Sequence, residues 1–150
     1  MPVFSFALKT QPGLSLYHDS HTVKGDPPTR IMFDSPSGER TLEIYLDHAM
    51  LTLTCAAAEG VRHYLRLADS TLKPLPPLPE ALAFSPGDAY IALTPGASKI
   101  ADSPAIARFL HLRDYFNADK LAVALLMHLV ELAGTDEFPE DVTVLVIEAR

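Results

Sequence analysis

With 150 residues, 48% of them hydrophobic, the chain is long enough for one compact core and too short for two ordinary domains, so a single domain over 1–150 is expected. Its net charge of −7, with no run of Lys and Arg to offset it, argues against nucleic acid and anionic membrane surfaces as partners. The first nine residues have no basic lead and no long apolar core, residues 121–130 are too few to span a bilayer, and the lone Cys55 lies in an apolar run; a cytoplasmic, reducing location is expected.

Phe4-Ser5-Phe6-Ala7-Leu8 and Leu14-Ser15-Leu16-Tyr17 flank Pro12-Gly13 and read as two strands around a turn. Residues 18–29, polar and containing Gly25-Asp26-Pro27-Pro28, read as a loop. Residues 31–33 form a short strand, and Ser35-Pro36-Ser37-Gly38 turns it into the alternating Thr41-Leu42-Glu43-Ile44-Tyr45-Leu46, a hairpin. Residues 50–55 and 61–67 alternate in the same way around Glu59-Gly60, which predicts consecutive antiparallel strands with one face buried.

Lys73-Pro74-Leu75-Pro76-Pro77-Leu78-Pro79 is neither helix nor central strand, because proline lacks the N–H donor; it is a connection rather than a polyproline ligand. After the turn Ser85-Pro86-Gly87-Asp88, residues 89–94 form a buried strand ending at Pro95-Gly96. Ser103-Pro104 provides a cap and a first-turn proline for a short helix. Asn117 caps a longer one over 118–133 that stops at Gly134 and is apolar enough to need a sheet against it. Residues 142–147, Val-Thr-Val-Leu-Val-Ile, suit a strand buried on both sides. Many strands, then helices, then a strand describe an α+β layered domain: an antiparallel β-sheet covered by helices.

Glu140 and Asp141 stand directly before that last strand, where acids can project toward a hard divalent cation. His18 and His21 flank Asp19 in the polar segment, a weak zinc or manganese spacing that exposed histidines share. His128 reads as a hydrogen-bonded core residue. No Gly-x-Ser-x-Gly turn supports a serine nucleophile, and no glycine-rich loop cradles phosphate.

Three stretches resemble the PPM-type serine/threonine phosphatase domain of the stage II sporulation protein E class. Residues 55–75, with Ala58-Glu59-Gly60 and Leu75-Pro76, resemble the family's strand, Ala-Gly-type turn and strand ending in leucine-proline. Residues 84–96 resemble its Pro-Gly-Asp strand that runs into Thr-Asp-Gly. The helix from Ala118 followed by Glu140-Asp141-Val142-Thr143 resembles its terminal helix and closing Asp-Asp-(Ile/Val)-Thr strand. The likeness covers about the last two-thirds of the chain, the first ~40 residues matching poorly. It implies a reduced PPM-like fold, the family's two long helices being absent.

In that family two divalent metals, Mn or Mg, generate the hydroxide that attacks phosphoserine, which requires converging carboxylates. Pro95 stands where the Thr-Asp-Gly aspartate belongs, and its side chain offers no oxygen. Glu140 and Asp141 correspond to the closing pair, Asp26 to the Gly-Asp element and Asp47 to the Asp-Gly element, although Asp47 fits an ordinary strand-to-strand turn equally well. The expectation is a degenerate, catalytically inactive domain that acts in bacterial regulation by binding a protein or another copy of itself as a homodimer. The alternatives are an active Mn- or Mg-dependent phosphatase using Asp26, Asp47, Glu140 and Asp141, and an unrelated small α+β binding protein, which a chain without an interior strand at 142–147 would favour.

Overall fold

The structure, a computed structural model, describes residues 3–11, 17–24, 29–34, 40–47, 52–57, 60–75, 80–112, 118–134 and 142–149. Among these residues the elements follow one another as β1 Val3–Gln11, β2 Tyr17–Lys24, β3 Thr29–Asp34, β4 Arg40–Asp47, β5 Thr52–Ala57, β6 Arg62–Arg66, β7 Leu72–Pro74, β8 Glu80–Ala83 and β9 Ala89–Leu93. A 3₁₀ turn Pro95–Lys99, α1 Ser103–Leu112, α2 Ala118–Ala133 and β10 Val142–Ala149 complete the order. The strands form two antiparallel sheets, one ordered β2-β1-β10-β9-β6-β7 and the other β3-β4-β5-β8.

β10 lies between β1 and β9, and its nearly continuous hydrophobicity follows from being buried twice. Val142, Val144 and Val146 pack in a cluster with the helices, whereas Leu145 and Ile147 pack between the sheets. Leu121, Leu125, Leu126 and Leu129 of α2 close the helical side, each contributing about 1.5–3 kcal/mol by leaving water. Asp102 caps α1: its Oδ1 accepts from the Ala105 N–H at 2.9 Å and its carbonyl from Ile106 at 3.2 Å. The cap is thus one residue earlier than the expected Ser103, which opens the first turn with Pro104 behind it.

Alternation in β4 and β5 sends Leu42, Ile44, Leu46, Leu53 and Cys55 inward between the sheets. The opposite face of this sheet carries Glu43, Tyr45, Asp47, Thr54, Ala56, Ala81 and Ala83, which are polar, small or, for Tyr45, amphipathic. No helix of the described residues packs there, and its composition suits water. Nor is any helix of the structure long and apolar enough to cross a membrane.

Four sequence expectations are corrected. The segment expected as a loop from His18 is strand β2, because the ladder to β1 satisfies its backbone from Tyr17 to Lys24 whatever its polarity. The expected β5–β6 hairpin is a crossing between sheets: β5 pairs with β4 and β8, and β6 with β7 and β9. β6 is consequently buried on both faces from His63 to Arg66. The proline-rich connection begins as the edge strand β7, where Pro74 needs no N–H partner.

Candidate active-site rim

The two sheets share their ends. β5 leads from Ala57 past Gly60 into Arg62, which pairs with Leu93, so this end of the small sheet adjoins the Leu93 and Val142 end of the large one. At the other end Ala83 leads through the turn at 85–88 into Ala89, which pairs with Arg66 and Glu148.

The first rim is tied together by short contacts. Thr94 N–H donates to the Thr143 carbonyl at 3.1 Å, and Thr143 N–H donates to Thr94 Oγ1 at 2.8 Å, locking the exit of β9 to the entry of β10. Pro95 follows and starts the 3₁₀ turn. Its ring packs against Gly60: a Cβ on Gly60 would stand 3.3 Å from the Pro95 Cβ, and Gly60 has φ +94°, so a glycine suits both the space and the backbone. Arg62 Nη1 donates to the Ala101 carbonyl at 3.0 Å and holds the segment that enters α1.

The expected metal residues relate to this rim as follows. Glu140 and Asp141, and likewise Asp26, lie outside the described residues. Val142, which follows the acidic pair, is on the rim beside Gln11. Lys24, two residues before Asp26, pairs with Val3 at the other end of the large sheet. Asp47 closes β4 opposite Thr52, and Thr52 pairs with Ala83, so Asp47 also belongs to the far end, roughly 20 Å from Pro95 by strand length. This is the position of the strand-to-strand turn, away from Val142. Asp34, an acid that the sequence analysis did not single out, ends β3 opposite Arg40 and so falls on the Pro95 side. Its one sequence signal is an acid between a short strand and Ser35-Pro36.

A two-metal centre of the PPM kind needs several carboxylates at one place. Pro95 supplies none, Asp47 is a strand length away, and the described residues contain no group of three His, Cys, Asp or Glu that could hold a metal. Of the four expected metal residues Asp47 alone is among the described residues, and it does not reach this rim.

A second polar group is enclosed between the sheets. His63 Nδ1 and the Tyr90 hydroxyl are 3.1 Å apart with the rings edge to face, and Cys55 Sγ is 3.9 Å from the same nitrogen. Burial first, and then the adjoining Cys55, push the Tyr90 phenol well above its ordinary value near 10. A phenol held protonated in the fold stabilises it fully below about pH 10, and that contribution disappears as the pH rises through the folded value. Tyr90→Phe is expected to lose about 1 kcal/mol near neutrality with the bond to His63. It also removes the phenol's alkaline penalty, so urea denaturation at pH 8 and pH 10.5 should show the gap to the unmodified chain shrinking; a gap that widens contradicts the assignment.

No family model matches the chain, and no curated protein matches it. Solved structures do. The phosphatase domain of the cell fate determinant SpoIIE from Bacillus subtilis superposes with a TM-score of 0.62 at 12% identity, over 72% of this chain and 54% of that one. The SiaA PP2C domain of Pseudomonas aeruginosa gives 0.60 at 18% identity, over 71% and 50%. PppA of Pseudomonas aeruginosa gives 0.52 at 18%, over 73% and 56%. The chain thus spans about half the length of the structures it matches. Identities this low speak of fold alone, and on that ground the chain has the fold of the PP2C-type (PPM) phosphatase domain found in SpoIIE.

Proposed function

We propose that this domain is a PP2C-type scaffold that does not hydrolyse phosphoserine and acts in bacterial regulation by binding protein. Pro95 carries the reading. It follows the Thr94–Thr143 lock where the family places an aspartate, and its ring fills the space beside Gly60. A hard divalent cation is drawn by carboxylate oxygens, and the proline side chain brings none to this point. Asp47 at the far end supports the same reading. Fold does not carry activity with it, since chemistry resides in the site. The regulatory part draws on the matched proteins, of which SpoIIE is described as a cell fate determinant and PppA as a regulatory component of T6SS. The test is hydrolysis of p-nitrophenyl phosphate with added Mn²⁺ or Mg²⁺, where no metal-dependent turnover is expected.

A further inference from the structure

We propose that the β3 edge of the small sheet is a homodimer interface, in which β3 pairs antiparallel with β3 of a second copy and joins two four-stranded sheets into one of eight. The inference deepens the protein-binding reading above and rests on it for its biological sense, but association and hydrolysis are measured separately and can fail separately.

The edges of the two sheets are not alike. On one side of the sandwich, β7 has three residues and ends at Pro74, and β8 has four residues and follows Pro76, Pro77 and Pro79. Short strands and prolines are the usual means of blunting an edge. On the other side, β3 has six residues, Thr29–Asp34, without proline, and pairs among the described residues with β4 alone. The register irregularity of this pair lies between Phe33 and Asp34, where β4 carries the additional residue Thr41, so β3 itself stays continuous.

The second observation is the order of residue types along β3. Arg30-Ile31-Met32-Phe33-Asp34 is self-complementary when reversed about Met32. An antiparallel self-pairing centred there sets position 30 opposite position 34 of the second copy, 31 opposite 33, and 32 opposite itself. Opposite charges then meet at both ends and an aliphatic residue meets an aromatic one at both inner positions, the combinations that stabilise cross-strand pairs. A two-fold axis through Met32 repeats each favourable pair, as an isologous interface requires. Backbone hydrogen bonds of a strand added to an open edge supply the affinity, and the charges at 30 and 34 fix the register.

Sedimentation velocity of the full chain at ~100 μM tests this. The unmodified chain is expected at twice its 16.4 kDa mass. Arg30→Asp alone, or Asp34→Arg alone, sets like charges opposite each other at both ends of the pairing, and either is expected to weaken dimerisation by about tenfold or more. An equimolar mixture of the two variants restores opposite charges at both ends and is expected to dimerise. So is the Arg30→Asp/Asp34→Arg double variant, which retains the pairing if one single variant folds poorly. A monomeric unmodified chain, single variants that dimerise unchanged, or a mixture and a double variant that both stay monomeric would each overturn the proposal.

Discussion

Replacing Asp88 with alanine is expected to lower the stability of the fold by about 3 kcal/mol, because its buried carboxylate holds two backbone donors at once. Oδ1 accepts from the Ala68 N–H at 3.0 Å and Oδ2 from the Ser85 N–H at 2.9 Å, while its own N–H donates to the Ser85 carbonyl at 3.0 Å. One side chain thereby ties the turn after β6 to the entry of β9. The surroundings have little room to compensate, since Gly87, at φ +96°, lies so close to Ala68 that a Cβ there would stand 2.9 Å from its side chain. Asp88→Asn retains one acceptor and should lose roughly half as much. Urea denaturation is the measurement, with the midpoint falling at an unchanged slope; a loss below about 1 kcal/mol for the alanine variant contradicts this role. The aspartate of the Pro-Gly-Asp stretch is thus a structural clamp.

Leu145→Ala is expected to cost about 2–5 kcal/mol by removing transfer free energy and leaving a cavity at the centre of the sandwich. Leu145 is 1% exposed and packs between the sheets with Ile44, Leu53 and Tyr90, while its strand neighbours Val144 and Val146 face the helices. Neither layer can collapse into the void without dislodging the other. Leu132, on α2 and 48% exposed, provides the contrast: its alanine variant should stay within about 0.5 kcal/mol of the unmodified chain. Equal losses at the two positions would mean that β10 is not the shared interior strand of the two cores.

The elements legible in the sequence are those whose pattern matches their burial. β9, β10 and α2 are apolar because layers cover them, and β4 alternates because one face meets water. β8 was invisible: Glu80-Ala81-Leu82-Ala83 has the composition of a helix, and only its ladder to β5 makes it a strand. β2 was hidden for the converse reason, since an edge strand tolerates polar residues throughout. The crossing at Gly60 had no local signal either, because alternation states which face of a strand is buried and not which strand lies beside it.

Of the candidate site, Pro95 and Asp47 fall among the described residues. Pro95 is recognisable from its position after Thr94, and the structure adds what its ring does against Gly60. The assignment of Asp47 depended on which end of the sandwich the hairpin closes, a property of register that residue spacing does not contain.

The central claim, that the scaffold persists without the catalyst, is tested most directly by phosphate ester hydrolysis with Mn²⁺, measured side by side for the chain and for its Glu140→Ala/Asp141→Ala double variant. The account expects the two to be indistinguishable from each other and from the metal alone. Turnover by the unmodified chain that saturates with Mn²⁺ and vanishes in the double variant would contradict it.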